Sequence, residues 1–128
     1  MTAAFHPEIS AICANVPAFT QPDSFEAANR AIAARGNDPD YKAKVMETLR
    51  YYSSSFAARH ITAPATVIVG RIDKCCPPTA VYALYNQLNG RKMICNEMDM
   101  EHECRASYQE GIQALHQYLL KKPAGNIG

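Results

Sequence analysis

Ala65-Thr66-Val67-Ile68-Val69 runs into Gly70-Arg71-Ile72-Asp73, and Lys74-Cys75-Cys76-Pro77-Pro78 follows at once. The apolar run is short and unbroken. It predicts a strand buried on both faces, as a parallel sheet requires. Pro77 and Pro78 suit the first turn of a helix, where a missing N–H breaks no bond. Val81, Leu84, Tyr85 and Leu88 then recur at helical spacing, and Asn89-Gly90 supplies the stop.

Further along, Lys92-Met93-Ile94-Cys95-Asn96 reads as another strand, followed by Glu97 to Glu101 and then His102. Tyr108, Ile112, Leu115 and Leu119 predict a final amphipathic helix, with Lys121 and Lys122 complementing its C-terminal dipole. Pro123 to Gly128 is expected to be a flexible tail, leaving one partial domain over residues 1–122. Towards the N-terminus, Ile9 to Val16 is a strand pattern stopped by Pro17. Asp23 or Ser24 would cap a helix over Phe25 to Arg35, whose inner face carries Phe25, Ala28 and Ile32 and whose stop is Gly36. After the break at Asn37-Asp38-Pro39-Asp40, a second helix places Tyr41, Val45, Leu49 and Tyr52 on one face. Ser53-Ser54-Ser55 ends it, and Phe56 to Pro64 leads into the Ala65 strand.

Strands alternating with helices indicate parallel βαβ units. The fold class is therefore α/β, with about three parallel strands flanked by helices. The outer edge of the first strand lacks a partner, as in part of a larger sheet.

The composition is that of a folded domain: 128 residues, 48% hydrophobic and 20% charged. A net charge of +1 gives no reason to expect nucleic acid or an anionic membrane as partner. No apolar run is long enough to span a bilayer, and the first residues lack the pattern of a secretory leader. The five cysteines are an odd number and two are adjacent, which fits a reducing, cytoplasmic setting better than a disulfide framework. Cys13 and Cys95 fall inside strand patterns, where a thiol acts as a small hydrophobe.

Asp73 and His102 stand just past the carboxyl ends of successive strands, where open α/β sheets place their ligands and catalytic groups. An acid followed by a histidine is the second half of the Ser…Asp…His order. The carboxylate would hold the imidazole in one tautomer, and the imidazole would move the proton of a nucleophile. Taken singly, Asp73 also reads as a helix cap and His102 as a solvated loop residue. Two rival chemistries are open: zinc on Cys75, Cys76, His102 and Cys104, or a cysteine nucleophile beside His102. Adjacent cysteines rarely reach the same tetrahedral ion, and C-x-x-C spacing is absent. A non-catalytic alternative is a half-domain that binds or complements a partner chain, or a copy of itself, along the open strand edge.

The stretch from Val69 to Asn86 resembles the acetyl xylan esterase and cephalosporin deacetylase family of α/β-hydrolases. In that family a strand ends in G-x-x-D before a P-P-S/T-x-V-x-A-x-Y-N helix start, and a later H-E carries the histidine. Gly70-Arg71-Ile72-Asp73, Pro77-Pro78-Thr79-Ala80-Val81-Tyr82-Ala83-Leu84-Tyr85-Asn86 and His102-Glu103 match these elements. Ile9 to Pro17 looks like the family's strand after the nucleophile helix. The resemblance implies that the chain is the C-terminal half of a serine esterase that deacetylates acetylated sugars or small acetyl esters. Asp73 would be the triad acid and His102 the triad base, with no metal or organic cofactor. Family members form ring-like oligomers. The family's G-x-S-x-G elbow has no counterpart, since none of Ser10, Ser24, Ser53, Ser54, Ser55 and Ser107 has the flanking glycines. Glu101 stands where a glycine usually precedes the histidine. The chain alone is therefore expected to be inactive.

Overall fold

A computed structural model of the chain describes residues 2–21 and 25–121. Three parallel strands form one sheet in the order β1 (Ile12–Asn15), β2 (Ala65–Gly70), β3 (Lys92–Glu97). The register pairs Ile12 with Ala65 and Ala65 with Lys92, so the strands end close together. All six residues of β2 are buried, as its unbroken apolar run predicts for a central strand. The sheet is the expected α/β arrangement.

Helices cover both faces. α5 (Pro78–Gln87) buries Ala80, Val81 and Leu84, the last two in the core that holds Val67, Ile68 and Val69. Its last turn is closed by Lys92 Nζ, which donates to the carbonyls of Tyr85, Asn86 and Leu88. α6 (Ala106–Lys121) packs on the face of Cys13 and Thr66, and does so through small residues. Ser107 and Gly111 are its buried positions, and a Cβ on Gly111 would lie 3.1 Å from both Cys13 Sγ and Thr66 Cγ2. This corrects the expected stripe. Tyr108, Leu115 and Leu119 are half-buried and Ile112 is 39% exposed. The close approach at Gly111 pushes the bulky side chains aside, where they line a 420 Å³ concavity with Ser10, Ala11 and Cys13 of the β1 segment.

The connection from β1 to β2 is helical. α2 (Glu26–Ala34) buries Ile32, and its cap position is Phe25; Asp23 and Ser24 lie outside the described residues. Gly36 and Asn37 take the left-handed conformation that ends this helix (φ 65° and 56°). α3 (Pro39–Tyr52) begins with Asp38 Oδ1 accepting the N–H groups of Asp40 and Tyr41. Ser53 breaks the helix as predicted, yet a short α4 (Ser54–Ala58) follows where only a lead-in was expected. Ala57 and Ala58 bury that turn against α5, and Ser53 Oγ donates to the Thr20 carbonyl. A short α1 (Thr2–Phe5) precedes β1. Lys122 and the expected tail from Pro123 to Gly128 lie outside the described residues. Among the described residues no helix is long and apolar enough to cross a membrane, and β1 pairs with β2 alone.

Candidate active site

β2 ends at Gly70, and the next residues turn sharply. The Asp73 N–H donates to the Gly70 carbonyl at 3.3 Å, which brings the carboxylate back over the strand end. Asp73 is 3% exposed, and its oxygens divide their work. Oδ1 accepts the backbone N–H groups of Cys75 and Cys76 at 2.7 and 2.8 Å. Oδ2 lies 3.0 Å from Nδ1 of His102. A buried carboxylate with three hydrogen-bond partners is fixed in direction. Asp73 thus organises the turn before α5 through one oxygen and faces the histidine through the other, while the cap position of α5 itself is Pro77, without a side-chain cap bond.

The loop from Glu97 to Arg105 brings His102 to this point. Its Met100 side chain is fully buried, and the Met100 carbonyl accepts from the Ile72 N–H at 3.3 Å. The Arg71 N–H donates to the Glu97 carbonyl at 2.9 Å. Two polar contacts that sequence reasoning did not anticipate hold the outer side. Arg105 donates through Nη1 to Asp99 Oδ1 at 2.7 Å and through Nε and Nη2 to Glu103 Oε1 at 2.9 and 2.6 Å, bracketing His102. Asn15, at the end of β1, donates through Nδ2 to the Glu103 carbonyl at 2.8 Å. Asp99 is held below the usual carboxylate range by its bond to Arg105, and the Arg105 guanidinium is raised by Asp99 and Glu103.

The Asp73 carboxylate beside Nδ1 of His102 is an acceptor, so in the neutral ring Nδ1 carries the hydrogen and Nε2 keeps its lone pair. The side chain is 48% exposed, leaving Nε2 reachable. Glu101, the residue before it, is solvent-exposed. Asn15, Asp73 and His102 thus gather at the carboxyl ends of all three strands, the side of an open α/β sheet that carries chemistry.

The acetyl xylan esterase (AXE1) family model matches residues 3–121. The chain belongs to the acetyl xylan esterase family. Solved structures agree in fold. An acetyl xylan esterase from a Paenibacillus species superposes with a TM-score of 0.82 at 20% identity, over 91% of this chain and 40% of that one. Acetyl xylan esterase 1 from a Thermoanaerobacterium species gives 0.78 at 24% identity, with the same 91% and 40% coverage. A monoacylglycerol lipase from Paleococcus ferrophilus gives 0.59 at 18% identity over 92% and 62%. The chain thus spans about two fifths of the length of the two acetyl xylan esterases. Its strand order and helical cover are those of an α/β-hydrolase segment, as the Val69 to Asn86 match implied.

Two further sequence candidates come together within this family segment. Cys75 and Cys76 lie in the same turn as Asp73, and their Sγ atoms and a ring nitrogen of His102 fall within 4.8 Å of one another. Cys104 is exposed and is not a member of that group. The Cys76 thiol is pushed up to about 11, first by burial and then by the neighbouring Cys75 and Asp73 charges. A 660 Å³ concavity adjoins the turn, lined by Phe19, Thr20, Phe25, Lys74, Cys75 and Cys76.

Proposed function

We propose that this chain supplies the acid and the base of a serine carboxylic-ester hydrolase that removes acetyl groups from acetylated sugars or small acetyl esters. The observation that carries the reading is the 3.0 Å contact between Asp73 Oδ2 and His102 Nδ1, with the second carboxylate oxygen locked by two N–H groups. In that reaction Nε2 of His102 takes the proton of the serine hydroxyl as the oxygen attacks the ester carbonyl. It then delivers this proton to the departing alcohol. In the second half it takes a proton from water, which attacks the acyl-serine. Asp73 faces the imidazolium formed in each half and stabilises it without accepting the proton.

The serine is assigned to a part of the family fold outside this chain. Family membership, together with coverage of about two fifths of the solved acetyl xylan esterases, supports that assignment. The six serines here lack the G-x-S-x-G setting. The concavity bounded by Phe19, Phe25 and Lys74 would receive the acyl or sugar side of the ester.

The test is release of nitrophenol from p-nitrophenyl acetate. The chain alone gives only the background rate. Joined to a G-x-S-x-G-bearing N-terminal segment of the family, it gives turnover that His102→Ala abolishes. Fast turnover by the chain alone, lost in His102→Ala, would overturn the assignment of the nucleophile. Turnover in the joined protein that survives His102→Ala would overturn the role of the histidine.

A further inference from the structure

In an extended strand, adjacent side chains point to opposite faces, which would keep Cys75 and Cys76 apart. The chain is not extended there. Asp73 Oδ1 accepts the N–H groups of both cysteines and curls the backbone around itself. The two Sγ atoms and a His102 ring nitrogen consequently lie within 4.8 Å of one another. Tetrahedral zinc binds thiolate at about 2.3 Å and imidazole at about 2.0 Å, which sets its ligand atoms slightly under 4 Å apart. Cys75 and His102 are both exposed, so their side chains have room to turn towards a shared ion.

We propose that Cys75, Cys76 and His102 form a binding site for a thiophilic cation of the zinc class, with its fourth position open to solvent. Two thiolates and a neutral imidazole balance a divalent charge and match the softness of such an ion. With the ion on Nε2, Asp73 at Nδ1 would supply the carboxylate that metal-binding histidines usually have on the other ring nitrogen. The fourth position would hold water, since Cys104 is not part of the cluster. The site stands on geometry alone and does not depend on the esterase reading. Where both hold, the ion would engage the imidazole that proton transfer needs, so metal binding and acyl transfer would exclude each other.

The test is titration of the reduced full chain with Co²⁺ as a spectroscopic stand-in for zinc, with far-ultraviolet circular dichroism confirming the fold of each variant. One equivalent of Co²⁺ should produce the visible bands of a tetrahedral ion and a thiolate charge-transfer band, and Zn²⁺ should bleach both. Cys75→Ser and His102→Gln, at exposed positions, should each lose stoichiometric binding, and Cys104→Ser should retain it. Absence of the charge-transfer band from the unmodified chain overturns the site. So does a band that survives Cys75→Ser, or one that disappears with Cys104→Ser.

Discussion

Gly70 and Met100 meet backbone to backbone: a Cβ on Gly70 would lie 2.5 Å from the Met100 carbonyl oxygen and 2.7 Å from that of Glu101. The contact joins the end of β2, which carries Asp73, to the loop that carries His102. Hydrogen bonds from Arg71 to Glu97 and from Ile72 to Met100 fix the same junction. The 3.0 Å spacing of the acid and the histidine is therefore set by main-chain packing beneath them, before either side chain is considered.

Gly70→Ala forces these two segments apart, because a carbonyl cannot retreat as a flexible side chain can. We expect a loss of about 1–3 kcal/mol, the usual cost of overpacking, measured by urea unfolding. The exchange rate of the Ile72 amide should rise with it. A change within about 0.5 kcal/mol, the range of an ordinary surface substitution, would show that the loop yields freely.

Asp73→Ala removes an acceptor from the N–H groups of Cys75 and Cys76 and from the histidine at once. Leaving buried donors unpaired costs about 1–3 kcal/mol. Asp73→Asn keeps an oxygen for the turn but presents an amide or the wrong tautomer to His102. Its unfolding midpoint should lie between those of the unmodified chain and Asp73→Ala, which equilibrium unfolding of the three proteins checks.

Arg105 holds the outer side of the His102 loop through Asp99 and Glu103. The carboxyl of Asp99 is lowered in the folded state, so its stabilising contact is present above the ordinary carboxylate range and is lost as pH falls through the lowered value. Acidification should lower the amide protection factors over residues 99–105, with exchange corrected for its intrinsic pH dependence, and Arg105→Gln should lower them already at neutral pH. High salt should act in the same direction.

The Cys76 thiol is raised from 9.0 to about 11, so the folded state keeps a proton that the unfolded chain releases. Its contribution to stability is complete below about pH 9 and lost as pH rises towards 11. Unfolding free energy measured across that window should fall less steeply in Cys76→Ala than in the unmodified chain. Cys13 and Cys95, also raised by burial, leave a residual slope in both proteins.

What the sequence made legible was local or carried by chain order. Val67-Ile68-Val69 marked a fully buried strand, Pro77-Pro78 the entry to a helix, and Asp73 and His102 stood at successive strand ends. What it hid was non-local. Gly70 matters because of a loop some thirty residues on, and Gly111 because α6 must approach Cys13 and Thr66 closely. Arg105 reads as an ordinary surface charge until Asp99 and Glu103 fold around it. Asn15 gives no hint that it ties the first strand to the last loop. Nor does the sequence show that Cys75 and Cys76 both come near His102, because the turn wound around Asp73 is set by contacts between side chain and backbone.

The most direct test of the account is the tautomer of His102, read by long-range ¹H–¹⁵N correlation at a pH where the ring is neutral. The Asp73 contact requires the hydrogen on Nδ1 and an unprotonated Nε2, in contrast to a free histidine, and Asp73→Ala should release that preference. A His102 ring with its hydrogen on Nε2, or a tautomer mixture that Asp73→Ala leaves unchanged, would contradict the pairing on which the proposed proton transfer depends.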